Sequence, residues 1–236
     1  MGITLHGPAW PTVAALRLAL AGVPEVGEYR LGGPPKDSIA QLTAFREAGL
    51  RTPDFTTDLL TATEWVNEQD AIIFGRMLLH TRGNDICLPG RRNSHGQYSR
   101  RWRNSQWWSR YVPPMEEWRV HVFDGKSIAR GRKVQTGTPW RRAPVRNISN
   151  GWTFDFTGTT PRGLRTTAKQ ALQALGYPAG AVDILQVGTI RPRGLEPPTT
   201  PYMVLEVNRV PALTCSYTRD AWVAAIRRHI REKGNQ

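Results

Sequence analysis

The stretch "EWRVHVFDGKSIARGRKVQ", residues 117–135, constrains the fold more than any other part of the chain. Trp118, Val120 and Val122 alternate with Arg119, His121 and Phe123, the period of two that sends neighbouring side chains to opposite faces of a strand. Asp124-Gly125 then supplies the pair favoured in a primed turn, whose two central residues both need positive φ. Residues 117–135 are therefore predicted to form an antiparallel hairpin.

Helices and further strands are expected on both sides of this hairpin. "GGPPKD" (32–37) is a turn-rich opening, Asp37 or Ser38 can cap a helix through "IAQLTAFREAG", and Gly49 closes it. Thr61 or Thr63 is expected to start a second helix through Trp65, and "AIIFGRMLL" (71–79) has strand length. "TRGND" breaks that run, and 90–110 is polar and aromatic without a period. "TAKQALQALG" (167–176) reads as a helix ended by Gly176 and Pro178. "AVDILQVG" and "PYMVLEVNRV" read as strands joined by a Pro-rich loop at 191–201, and "RDAWVAAIRRHIREK" as a C-terminal amphipathic helix. Strands that alternate with helices, with an antiparallel hairpin among them, give an α+β or α/β class.

Several function classes drop out. No stretch approaches the ~18 apolar residues of a membrane span. The first twenty residues lack the basic segment of a secretory signal, so a cytoplasmic location is expected. Cys87 and Cys215, the only cysteines, indicate neither a disulfide framework nor a zinc site. The net charge of +13 is uneven. Residues 1–70 hold five Lys/Arg and nine Asp/Glu, and the other 27 Lys/Arg and ten Asp/Glu follow, most of the excess lying between Arg76 and Arg146. Such a field favours a polyanionic partner, whether a nucleoside triphosphate, a nucleic acid or an acidic polymer.

Three polar side chains interrupt apolar strands: Asp183 in "AVDIL", and Glu206 and Asn208 in "VLEVN". Glu206 and Asn208 share a strand face, roughly 6.6 Å apart at about 3.3 Å per residue. The plain reading is an amphipathic strand with its polar face in water. The chemical reading is a hard-cation site, because magnesium takes one or two carboxylates together with phosphates and water, and an amide oxygen adds a ligand without adding charge. Arg76, Arg82 and Gly83 could meet phosphate oxygens, though without any established phosphate-loop spacing. Arg119, Lys133 and Arg146 lie near predicted strands. His121 is expected to pack or hydrogen-bond within the hairpin, and His80 and His95 lack metal spacing. Trp102, Trp107, Trp108 and Trp118, interleaved with Arg100, Arg101, Arg103 and Arg110, could stack nucleobases or form a small aromatic core.

Taken in order, "LTAFREAGLRTPDFT", "IFGRMLLHTRGNDI", "YVPPMEEWRVHVFDGKSI", "VRNISNGWTF", "AVDIL" and "VLEVNRVPAL" resemble the ATP-grasp superfamily, in particular the ligase-like members found in bacteriophages. The resemblance implies an α+β fold of two lobes clasping ATP after a short N-terminal region at 1–70. The ATP-grasp domain would span 71–236, with a small lobe at 71–112 and a large lobe at 113–236. It also implies an ADP-forming carboxylate–amine ligase. Asp183, Glu206 and Asn208 would hold Mg2+. Arg76, Arg82 and Gly83 would contact phosphate, and Tyr111 and Val112 would lie at the adenine hinge. Arg119, Lys133, Arg146 and Asn147 would face phosphate or the acyl-phosphate intermediate. Asn84 and Asp85 stand where a second glycine is common, and Arg209 and Ala212 depart from the usual closing motif.

The expected substrates are therefore ATP with a carboxylic acid and an amine, free or carried on a polymer. Two alternatives stand beside this. One is a nucleic-acid-binding protein using the Arg/Trp-rich segment 91–110, and the other is an ATP-grasp protein that binds nucleotide without turnover. A phage gene product would act in the host cytoplasm.

Overall fold

The predicted hairpin forms the middle of a five-stranded antiparallel sheet. The computed structural model describes residues 4–5, 16, 28–29, 37–68, 71–78, 86–136, 145–146, 150–187, 200–209, 211, 213 and 215–234. Strands β6 (Glu116–Phe123) and β7 (Lys126–Gln135) are joined by Asp124 and Gly125, both at positive φ (48° and 67°). The sheet continues with β8 (Trp152–Asp155) beyond β7, and with β9 (Ala179–Gln186) and β10 (Tyr202–Asn208) beyond β6, in the order β10-β9-β6-β7-β8.

The period-two pattern sorts the two faces of this sheet. Trp118, Val120, Val122, Val182, Ile184, Val204 and Val207 enter the main core. They pack there against α1 (Ser38–Glu47) and α4 (Leu164–Leu175). Asp37 caps α1 by accepting from the Ala40 amide, as expected, and Gly176 ends α4 in the left-handed conformation (φ 67°). The intervening residues of β6 and β9 point to the other face, which carries the polar groups considered below. Helix α5 (Ser216–Gly234) covers the far end of that second face, where Trp222 and Ile226 meet Phe123 and Ala179.

A second sheet has the order β3-β5-β4, from β3 (Phe55–Thr56), β4 (Ile73–Arg76) and β5 (Trp107–Arg110). Helix α2 (Leu59–Asn67) and the one-turn α3 (Arg100–Arg103) flank it. Helix α2 starts earlier than Thr61 because Asp58 accepts from the Leu60 and Thr61 amides. A short parallel pair, β1 (Thr4–Leu5) with β2 (Glu28–Tyr29), lies apart in sequence. Among the described residues no helix is long and apolar enough to cross a membrane.

The strand expected over 71–79 is paired only at 73–76, and segment 90–110 is better ordered than its composition suggested. Trp102, Trp107 and Trp108 are buried, and their indole N–H groups donate to the carbonyls of Ile73, Met77 and Trp102 respectively. Trp118 is buried too. A stacking platform needs open ring faces, so these four do not stack nucleobases. The aromatic-core alternative is the one found.

Candidate nucleotide and metal site

The second face of the large sheet sets charged residues of three neighbouring strands side by side. Arg119 pairs in register with Asp183, and Asp183 with Glu206. A β-bulge between Val204 and Glu206 makes this alignment. With strict alternation Val204 and Val207 would face opposite sides. The extra residue lets both enter the core while Leu205 and Glu206 leave it. The outer edge of β10 is fastened as well. The Val204 amide donates to the Arg51 carbonyl (2.8 Å), and the Val207 amide donates to Gln41 Oε1 (2.8 Å).

At the centre, Arg119 grips Asp183 through two parallel bonds, Nε to Oδ1 and Nη2 to Oδ2, both 2.7 Å. Burial works against the Arg119 charge, but the Asp183 carboxylate outweighs it, with Glu206 and Glu117 adding, and the guanidinium is held charged. The Asn208 amide nitrogen donates to Asp183 Oδ2 (3.3 Å) and to Glu206 Oε1 (3.1 Å). Two carboxylate oxygens thus converge on one donor atom. Which end of an amide points inward follows from its network; turned over, Asn208 would offer its oxygen to the same point. Two carboxylates and one amide oxygen suit magnesium, which keeps other positions for phosphate and water. They do not suit a metal needing a full protein cage, since no group of three or more His, Cys, Asp or Glu is found among the described residues.

Other expected residues gather around this centre. Lys133 bonds the buried carboxylate of Glu117, a residue that sequence reasoning missed. Burial raises the Glu117 pKa, while Lys133 pulls it down, Asp183 pushes it up and Arg146 pulls it down again. The missed signal was its position two residues before Arg119, on the same strand face. Arg146 donates to the Pro114 carbonyl (3.3 Å) and lies over the Trp152 ring at 4.6 Å. Arg76 donates through Nε to Ser109 Oγ (3.1 Å) and rests over Trp107 at 5.2 Å. Burial lowers the Arg76 pKa, with the Glu206 carboxylate partly opposing it.

Tyr111 and Val112 follow β5 directly, in the crossover from one sheet to the other. The Tyr111 amide donates to the Ile72 carbonyl (2.7 Å), and its ring meets Phe74 edge-on at 5.4 Å. Val112 packs with Leu205 against Leu185, Val187 and Met203, an apolar shelf beside the acidic centre. Val112 and Met203 also line an open cavity of about 430 Å³ whose other wall is segment 46–54. Arg82, Gly83, Asn84, Asp85, Asn147 and Ala212 lie outside the described residues. His121 is buried, and its Nδ1 accepts from Trp222 Nε1 (3.0 Å). Burial, with the Arg119 charge adding, drops its pKa to about 3, so it is neutral as expected of a packing residue.

No protein-family model matches the chain, and no curated protein matches it. Solved structures do. A complex of the ATP-grasp ligase PsnB with its minimal precursor superposes with a TM-score of 0.56 at 17% identity, over 91% of this chain and 68% of that one. The macrocyclase MdnC bound with precursor peptide MdnA from Microcystis aeruginosa MRC gives 0.54 at 14% identity, over 90% and 67%. D-alanine–D-alanine ligase from Bacillus anthracis gives 0.53 at 13% identity, over 84% and 69%. The chain spans about two thirds of the length of these proteins. At such identities the likeness is one of architecture: this chain has the α+β ATP-grasp fold.

Proposed function

We propose that the protein is an ATP-dependent carboxylate–amine ligase that forms an amide bond and releases ADP and phosphate. The observation that carries this reading is the convergence of Asp183, Glu206 and Asn208 on one point, between the apolar shelf of Leu185 and Met203 and the cations of β6 and β7. The adenine would lie on the shelf beside Tyr111 and Val112. Arg76, with Arg82 and Gly83 a few residues further along the chain, would bind phosphate. Magnesium, held by Asp183, Glu206 and Asn208, would neutralise charge on the phosphates. Lys133, Arg146 and Asn147 would steady the acyl phosphate formed when the acid accepts the terminal phosphoryl group. Arg119 would serve chiefly by fixing Asp183, since two of its donors are already engaged there. The amine then attacks the acyl carbon, phosphate leaves with the bonding pair, and the amine's proton passes to an acceptor. Catalysis of this kind is positioning and charge stabilisation.

Structures of PsnB and MdnC hold precursor peptides, and others of PsnB hold Mg with ADP. That supports Mg-ATP as the nucleotide and a peptide as the carrier of the reacting groups. Thermal melting with ATP, with and without magnesium, tests the reading. ATP at ~100 times its dissociation constant should stabilise the fold by roughly 2.7 kcal/mol, and only with magnesium present. Glu206→Gln should abolish that increment and ADP release while leaving the fold intact. A magnesium-independent melt, or unchanged release by the variant, refutes the assignment.

A second reading has one observation behind it. Residues 86–110 hold six arginines and no acid, and Arg91, Arg92, Arg100 and Arg101 are exposed. With the tryptophans buried, nucleic acid would be met there through backbone phosphates alone, without base stacking.

A further inference from the structure

Three aromatic side chains of segment 152–156 project beside the cations, and none belongs to a core cluster. Arg146 lies over Trp152 at 4.6 Å, and Arg119 lies over Phe154 at 5.0 Å with the Lys133 ammonium at 5.8 Å. Phe156 follows Phe154 at 6.3 Å, and Tyr217, in the first turn of α5, follows Phe156 at 5.1 Å. Phe154 and Phe156 are half-buried, and Tyr217 is exposed at 45%. Aromatic rings left half open beside a charged centre, rather than buried in a core, need a reason.

Gly131 supplies a second observation. It pairs in register with Arg119, and a Cβ there would lie 2.8 Å from Phe156 Cε1 and 3.2 Å from Phe154 Cβ. The missing side chain lets the Phe156 ring lie against the sheet beside Arg119. The strip therefore starts at the cations expected to meet the acyl phosphate and runs, ring by ring, to an exposed tyrosine.

We propose that Phe154, Phe156 and Tyr217 form a specificity subsite for an aromatic side chain on the acid component, next to its reacting carboxylate. The inference rests on the ligase reading. A carboxylate drawn to Lys133 and Arg146 leaves the group behind it over Phe154 and Phe156. An aromatic group gains there both area burial and offset or edge-on ring contacts.

Two measurements test it. In Mg-ATP with hydroxylamine, which converts an acyl phosphate to a hydroxamate and free phosphate, N-acetylphenylalanine and N-acetylglycine serve as acid probes. The wild-type protein should favour N-acetylphenylalanine. Phe156→Ala and Tyr217→Ala should each cut that preference by about three- to tenfold, the loss of one aromatic contact. Tyr217 is exposed, so its substitution spares the fold. Saturation-transfer NMR of N-acetylphenylalanine with Mg-ADP gives a readout independent of turnover, with transfer strongest at the ring protons and weakened in both variants. Equal use of the two acids, unchanged variants, or no ring transfer to the wild-type protein overturns the subsite. Ring transfer that weakens in both variants, with no hydroxamate from either acid, upholds aromatic binding at Phe154, Phe156 and Tyr217 and overturns the ligase reading.

Discussion

His121 sits two residues along β6 from Arg119, sealed beneath α5 with the Trp222 indole donating to its Nδ1. Its pKa of about 3 in the folded protein is below the 6.5 of a free imidazole. The folded state therefore binds fewer protons than the unfolded chain between these values. This group's stabilisation is complete above about pH 6.5 and is lost as pH falls toward 3. At pH 5 the loss should reach about 2 kcal/mol. Urea unfolding at pH 7.5 and 5 checks this: His121→Asn, which keeps an acceptor for Trp222 but cannot titrate, should lose less stability between the two. Equal losses would refute the assignment. Sequence periodicity placed His121 opposite the core-facing valines, but the helix that buries it comes from a hundred residues away.

At the scale of elements, the bulge in β10 decides whether Glu206 meets Asp183 and Asn208 or the core. It is pinned from outside by α1, because Gln41 Oε1 takes the Val207 amide between Glu206 and Asn208. Gln41→Leu leaves that amide without its partner, at a cost of about 1–3 kcal/mol. The melting temperature should fall and the magnesium-dependent ATP shift should shrink, while Gln41→Glu, which keeps an acceptor, should restore much of both. A normal ATP shift in Gln41→Leu would show that the bulge holds without α1. The caps of α1 and α4 and the Asp124-Gly125 turn were legible because each is written in adjacent residues. The bulge was not, since "VLEVN" gives no local sign of where alternation slips. Strand β8 escaped for a similar reason: four residues, Trp152 to Asp155, carry too short a pattern to read.

Across the whole molecule, the net charge of +13 exerts a field that any anionic ligand must feel. If the exposed arginines of 91–101 bind nucleic acid, affinity for duplex DNA should fall steeply with salt. Arg91→Gln with Arg100→Gln should reduce the slope of log K against log salt by about 1.8, at roughly 0.9 per phosphate contact. Binding that ignores salt, or a slope the double variant leaves unchanged, rules out that surface. The sequence by itself determined the hairpin, the Asp37 cap and the Gly176 stop, a class of α+β or α/β and, through the order of its motifs, the resemblance to ATP-grasp proteins. All of these are carried by short-range periods, caps and spacing. Only the tertiary structure decided that the tryptophans of 100–110 are core, that Glu117 joins Lys133, and that Arg119 is spent on Asp183. It also decided that a bulge turns Glu206 toward Asn208. Each of those depends on which strands lie side by side, and that is set by packing between distant segments rather than by any pattern within one.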